Sequence, residues 1–168
     1  PTEFVPLHEP CFRGEESELV QDCIQSGWVS SVGKYVDQFE EDLADFCGVK
    51  RAIAVVNGTA ALHICLILAG VRPDDEVIMP SLTFVASANA ANMAGAQPHF
   101  VDVERTTLGI DPDKLEQHLL EIGVFKDDGF YNKQSGRRIA AIVPMHAFGH
   151  PVRLDELNAV AERFSIPV

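Results

Sequence analysis

The sequence predicts an α/β fold in which helices cover a mostly parallel sheet on both faces. Short runs rich in β-branched residues alternate with longer amphipathic patterns through the middle of the chain, which is typical of strands joined by crossover helices. Glycine and proline turns separate these segments. The run at 138–144 is almost wholly apolar, as expected for a strand that is covered on both faces.

The N-terminal part predicts two amphipathic helices, at 14–26 and 35–47, joined by a glycine-bounded loop. Apolar residues recur at spacings of three and four in both helices, and Gly48 follows the second as a helix C-cap would. The run at 51–56 predicts the first strand of the sheet, and a helix follows it as far as Gly70.

The remainder of the chain predicts alternating strands and helices. The strands are expected at 76–79, 97–101 and 138–144, and the helices at 85–94, 111–120 and 154–164. Two turn signals predict an exposed hairpin over 126–137. Residues 165–168 read as the start of a buried strand, which suggests an N-terminal fragment of a longer protein.

Composition excludes several classes of partner. The 168 residues carry 13 basic and 25 acidic side chains, a net charge of −12, which argues against a nucleic-acid surface. We expect no membrane partner and a cytoplasmic protein, because no apolar run approaches a membrane span and no secretory signal is evident. Four cysteines without Cys-x-x-Cys spacing predict no metal site, and we expect them to be small buried hydrophobes.

The strongest candidate for a ligand site is the segment Asn57-Gly58-Thr59-Ala60. A strand is expected to end there and a helix to begin, so that free N–H groups and the helix dipole could hold an anion such as a phosphate. The alternative is a plain helix N-cap made by Asn57 or Thr59. Neither a dinucleotide fingerprint nor a nucleotide-triphosphatase loop is present.

Two further residues are expected at the same sheet edge, because ligands of parallel α/β sheets collect outside the carboxyl ends of the strands. Phe84 follows the second strand, where its ring could stack on a flat cofactor. The alternative is an ordinary core phenylalanine. His146 follows the strand at 138–144, either at the rim of the site or as a structural histidine.

Four sequence blocks in this order resemble the pyridoxal-phosphate-dependent sugar aminotransferases of the DegT/DnrJ/StrS type. They are GWVSSVG at 27–33, VVNGTAALH at 55–63, TFVASANA at 83–90 and PMHAFGHP at 144–151. The chain resembles the LegC-like branch, which aminates nucleotide-linked 4-keto-6-deoxy sugars, and the segment 131–138 shares that likeness. The resemblance covers essentially the whole chain.

This resemblance implies an incomplete aspartate-aminotransferase-like large domain, a three-layer sandwich with a mostly parallel mixed sheet, in a homodimer. Residues 1–48 would supply N-terminal helices and a substrate loop, and residues 49–168 the sheet region. Gly58, Thr59 and Ala60 would hold the phosphate of pyridoxal 5'-phosphate, and Phe84 would stack on its ring. Trp28, Ser30 and Ser31 would line the nucleotide-sugar side, and His146 would lie near the site.

The resemblance also implies catalytic residues beyond Val168. The family's aspartate, which pairs with the pyridine nitrogen, and its Schiff-base lysine both come later in the chain, so this chain alone is expected to be inactive. The complete enzyme would take its amino group from an amino acid, usually glutamate, and serve surface-glycan sugar biosynthesis. Two alternatives stay open: a sugar dehydratase with the same frame, and a non-catalytic chain that only binds cofactor or dimerises.

Overall fold

The computed structural model describes residues 4–6 and 8–168. Its internal contacts separate the chain into two compact units, Pro1–Ala54 and Val55–Val168. Within the described residues, no helix has both the length and the apolar character that crossing a membrane would require.

The first unit contains the two predicted helices, α1 (Glu16–Ser26) and α2 (Lys34–Cys47). Both end at glycines in the left-handed conformation, Gly27 and Gly48, because a residue without a Cβ enters that conformation without strain. A polar clasp joins the helices across the loop. The Tyr35 hydroxyl donates to Asp22 Oδ2 at 2.8 Å, and Lys34 Nζ lies 2.7 Å from the same oxygen. Lys34 and Tyr35 lower the pKa of Asp22.

The second unit is built on three parallel strands in the order β2-β1-β5. Its strands and helices are α3 (Gly58–Leu68), β1 (Glu76–Pro80), α4 (Val85–Met93), β2 (Gln97–Val101), α5 (Pro112–Ile122), β3 (Gly123–Lys126), β4 (Gly129–Asn132), β5 (Ile139–Ile142) and α6 (Leu154–Arg163). The predicted parallel strands and crossover helices are confirmed. Asp111 caps α5, where Asp111 Oδ1 accepts from the N–H groups of Asp113 and Lys114 at 3.1 Å.

The second unit has the predicted three layers, because successive residues of β1 point to opposite faces of the sheet. Ile78 packs into a cluster with α5 and α6 on one face, whereas Val77 and Met79 pack against α3 and α4 on the other. All five residues of β1 are buried. This burial on both faces explains why the strand reads as an unbroken apolar run after Glu76.

The predicted hairpin exists, but it begins earlier and is less exposed than the sequence suggests. Strands β3 and β4 pair antiparallel, from Gly123 opposite Asn132 to Lys126 opposite Gly129. Phe130 is buried in the core cluster, where its ring packs against Phe125 and Phe164. The expectation of an exposed hairpin is therefore wrong for Phe130, because the tertiary fold brings its ring against Phe164, the residue that follows α6.

A buried carboxylate ties the hairpin to the sheet. Glu76, at the start of β1, accepts from Ser135 Oγ at 2.5 Å and from Asn132 Nδ2 at 3.1 Å, and His99 Nδ1 lies 2.7 Å from Glu76 Oε2. The other ring nitrogen of His99 contacts His118 Nε2 at 2.9 Å. Burial raises the pKa of Glu76, but the hydrogen bonds from Ser135, His99 and Asn132 outweigh it and leave the pKa below its ordinary value.

Two predictions about the chain are wrong. The segment 51–56 forms no strand, because no described residue pairs with its backbone in a sheet, and Val56 is 88% exposed. The expectation of buried cysteines also fails, since Cys11, Cys47 and Cys65 are exposed free thiols. Residues 166–168 do run beside β5, where the Ile142 N–H donates to the Pro167 carbonyl at 2.8 Å.

Candidate functional site

The candidate site of the second unit lies at the carboxyl edge of the three-stranded sheet. Strands β1, β2 and β5 are parallel, so their carboxyl ends lie at one edge. Helix α4 starts at this edge because it follows β1. The C-terminus of helix α3 is followed by a short turn that leads into the start of β1, so the N-terminus of α3 lies at the opposite, carboxyl edge of the sheet. Helix α3 also packs on α4. Two helix N-termini therefore lie at the edge where ligands of such sheets bind.

The N-terminus of α3 has a side-chain cap, yet two of its backbone N–H groups remain without an acceptor among the described residues. Asn57 Oδ1 accepts from the Ala60 N–H at 2.9 Å, which confirms the N-cap for Asn57. Among the described residues, no acceptor contacts the N–H groups of Gly58 and Thr59. The cap therefore leaves two N–H groups and the Thr59 hydroxyl for a ligand, and the helix dipole favours an anion there. The Ala60 N–H is already engaged.

Phe84 is a surface residue, not part of the core. It is the N-cap residue of α4, with extended backbone, and its side chain is 69% exposed. This exposure excludes the interpretation of Phe84 as a core phenylalanine. A hydroxyl pair lies beside it: Thr83 Oγ1 and Ser87 Oγ are 2.9 Å apart, and Ser87 is buried. The pair fixes the first turn of the helix that presents the ring.

His146 has a structural hydrogen bond. Its Nδ1 accepts from the Val152 N–H at 3.1 Å, across a single 3₁₀ turn at Ala147–Gly149. In the neutral ring the proton is therefore on Nε2. His146 therefore has a structural role, which is one of the two alternatives that the sequence left open. Its Nε2 is the ring atom that remains for a ligand.

The predicted substrate loop belongs to the first unit and is exposed. Trp28 and Ser30 line a surface depression of about 260 Å³ together with Gly33 and Tyr35. Ser31 is exposed and does not line this depression. The Trp28 side chain lies against Gly33, where an added Cβ would come within 3.4 Å of it. The clasp of Asp22, Lys34 and Tyr35 holds the two ends of the loop.

Sequence reasoning missed two features of the sheet edge. The Thr83–Ser87 pair carries an i, i+4 hydroxyl spacing that could have indicated it. Phe148, in the 3₁₀ turn, has a left-handed backbone with φ 51° and ψ 27°, and no sequence signal announces it. Over residues 4–6 and 8–168, no three His, Cys, Asp or Glu side chains are grouped as a metal site requires.

These elements define an α/β protein with a candidate ligand site at the carboxyl edge of its sheet. The DegT/DnrJ/EryC1/StrS aminotransferase family profile matches residues 10–168, and the chain belongs to this family. It is 40% identical over 164 residues to the GDP-perosamine synthase of Caulobacter vibrioides, covering 98% of this chain and 40% of that protein. The chain thus spans about 40% of the length of this relative.

Solved structures agree with this assignment. The aminotransferase from Psychrobacter cryohalolentis superposes with a TM-score of 0.75 at 30% identity, over 98% of this chain and 37% of that one. The NtdA protein of Bacillus subtilis, solved with its cofactor PMP, gives a TM-score of 0.74 at 27% identity, over 92% and 32%. The predicted aspartate-aminotransferase-like fold class is confirmed, and the family's cofactor is pyridoxal phosphate.

The residues at the sheet edge fit this cofactor. A phosphate ester needs donors and positive potential, which the open N–H groups at Gly58 and Thr59 and the α3 dipole supply. A flat heteroaromatic ring needs a plane to stack on, and Phe84 is exposed at the same edge.

Proposed function

We propose that this chain is the cofactor-binding N-terminal part of an enzyme that transfers an amino group to a nucleotide-linked sugar. The observation that supports this best is that an open helix N-terminus and an exposed aromatic ring both belong to the carboxyl edge of the sheet. Gly58 and Thr59 would bind the cofactor phosphate through their N–H groups and the Thr59 hydroxyl, with Ala60 adjoining them. Phe84 would stack on the pyridine ring.

The proposed acceptor is the C4 keto carbon of a nucleotide-linked 4-keto-6-deoxy sugar, with glutamate as the amino donor. The relative named GDP-perosamine synthase supports a nucleotide-sugar substrate, and the 131–138 segment supports the LegC-like branch through its resemblance. In this proposal Trp28, Ser30 and Ser31 contact the nucleotide sugar. The enzyme is proposed to be a cytoplasmic homodimer that serves surface-glycan biosynthesis.

Pyridoxal phosphate, when bound, would supply an electron-accepting ring and an aldehyde group that takes up the amino group from one substrate for delivery to the other. The residues of this chain would hold the phosphate, cover one ring face and place the Nε2–H of a neutral His146 at the edge of the site. The lysine and aspartate that the reaction needs are expected beyond Val168. We therefore propose that the 168-residue chain does not catalyse the transfer by itself.

Cofactor affinity in the full-length protein tests this proposal. Phe84→Ala should weaken pyridoxal phosphate binding by about 2- to 10-fold, the equivalent of about 0.5–1.5 kcal/mol of stacking. Thr59→Val should weaken it by about 10-fold or more, because a hydrogen bond to a charged phosphate is lost. Both are measured by titrating apoprotein with pyridoxal phosphate and following the absorbance of the bound cofactor.

Phe46→Ala provides the matched control, since Phe46 is an exposed phenylalanine on α2. It should leave the cofactor affinity unchanged. Equal affinities for wild type and Phe84→Ala would show that the ring does not stack on the cofactor. A wild-type protein that binds no pyridoxal phosphate would contradict the proposed function as a whole.

A further inference from the structure

Phe148 adopts a backbone conformation that its side chain disfavours. Its φ of 51° and ψ of 27° lie in the left-handed region, where the Cβ of an L-residue crowds its own carbonyl oxygen. A bulky residue is a genuine outlier in this region, and glycine or asparagine is the usual occupant. Gly149 follows with φ 84°, so two consecutive residues are left-handed.

The surrounding turn enforces this conformation. Ala147 is buried, and His146 Nδ1 accepts the Val152 N–H on the far side of the turn. The Gly149 N–H donates to the His146 carbonyl, and the His150 N–H donates to the Ala147 carbonyl, both at 3.0 Å. The backbone at Phe148 is therefore fixed from both sides.

Packing of the Phe148 ring does not compensate the strain. The side chain is 73% exposed, so most of its apolar surface remains in water. A strained residue that gains little from packing points to a role in the site around it. The turn follows β5 and therefore lies at the carboxyl edge of the sheet, the edge at which α3 and α4 begin.

We propose that Phe148 is a specificity-determining residue that contacts the sugar of the acceptor substrate. This inference rests on the proposed function. The phosphate is assigned to the start of α3 and the face of the pyridine ring to Phe84, so a further exposed ring at this edge is available to the molecule that reacts there. A deoxy sugar presents an apolar face and a methyl group, which an aromatic ring covers well.

The chain offers a matched control for backbone strain. Ser165 also has a left-handed backbone, with φ 55°, in the turn between α6 and residues 166–168. Those residues run beside β5, so Ser165 lies at the amino edge of the sheet, away from the proposed site. Asparagine tolerates the left-handed conformation at either position.

The test uses full-length Phe148→Asn and Ser165→Asn. The Tm of the apoprotein is measured by calorimetry, and binding of a GDP- or UDP-linked 4-keto-6-deoxyhexose is measured by titration, beside the nucleoside diphosphate alone. Both variants should raise the Tm by about 1–2 °C, because strain is relieved in a protein of roughly 2.5 times this chain's length. Only Phe148→Asn should weaken sugar-nucleotide binding, by about tenfold, with nucleoside diphosphate binding unchanged. Phe148→Tyr, which keeps an aromatic ring at this position, should bind the sugar nucleotide as tightly as the wild type.

Each other result overturns the inference. A lower Tm for Phe148→Asn would show that the ring stabilises the fold, and unchanged sugar-nucleotide binding would show that it does not contact the sugar. Weaker binding of the nucleoside diphosphate alone would assign the ring to the nucleotide instead. A wild-type protein that binds neither pyridoxal phosphate nor the sugar nucleotide would overturn the proposed function together with this inference.

Discussion

The buried carboxylate of Glu76 should be one of the most costly side chains to remove from this fold. Glu76 is 6% exposed and accepts hydrogen bonds from Asn132 in the hairpin and from Ser135 just after it, while His99 contacts it from β2. Glu76→Ala leaves these groups without their shared acceptor. A buried donor left without its acceptor costs about 1–3 kcal/mol, so we expect Glu76→Ala to lose about 2–6 kcal/mol of unfolding free energy through Asn132 and His99.

Glu76→Gln distinguishes the contribution of the negative charge of this side chain from that of its hydrogen-bond acceptor. The amide keeps one acceptor but loses the charge, so its hydrogen bonds fall from the range of about 1.5–3 kcal/mol to about 0.5–1.5 kcal/mol each. We therefore expect the unfolding free energy to decrease in the order wild type, Glu76→Gln, Glu76→Ala. Urea denaturation followed by circular dichroism measures this order.

Hydrogen exchange locates the effect of Glu76→Ala within the fold. The amides of β3 and β4 should exchange faster in this variant, because Asn132 and Ser135 no longer anchor the hairpin to β1. Glu162→Ala is the matched control, since the exposed Glu162 on α6 makes no side-chain hydrogen bond among the described residues. If Glu76→Ala loses no more stability than Glu162→Ala, the network does not hold the hairpin.

Two further predictions concern the same core. Burial and the neighbouring His99 lower the pKa of His118 below its ordinary 6.5. The unfolded chain therefore binds this proton more readily than the folded chain. The contribution of His118 to the unfolding free energy is fully present above pH 6.5 and is lost as the pH falls toward the lowered pKa. Urea midpoints at several pH values should show this decline in wild type and not in His118→Asn, and an identical slope in both proteins would refute it. In Gly123→Ala the added Cβ would collide with the Phe130 ring and with the backbone carbonyl oxygen of Leu119, so we expect a loss of about 1–3 kcal/mol. Calorimetry measures it against Gly58→Ala, where nothing lies within 4 Å of the new atom, and equal stabilities would refute this collision.

Local pattern was sufficient for most of the secondary structure. The predicted strand at 97–101 coincides with β2, and the Asp111-Pro112 signal marks the start of α5. The spacing of apolar residues also gives α2 and α6 within two residues at each end. These elements follow from side-chain periodicity and caps, which act between residues a few positions apart.

Long-range pairing was beyond that reasoning. The segment 51–56 has strand composition, but a strand forms only where a neighbouring backbone accepts and donates its hydrogen bonds, and no described residue supplies them. Phe130 was expected in an exposed hairpin, yet it packs against Phe164 from the far end of the unit. The candidate site divides in the same way: the Asn57 cap is local, whereas the surroundings of Phe84 and Phe148 are set by the sheet edge.

The sequence by itself determined the class of fold, the family resemblance and the residue types of the anion site, because periodicity, turns and caps are encoded locally. The tertiary structure decided which of these residues stay open. It left Phe84 exposed, engaged His146 Nδ1 with Val152, and placed Phe148 in a strained turn. Burial, hydrogen-bond partners and backbone strain depend on segments distant in the chain, so they are fixed only when the sheet assembles.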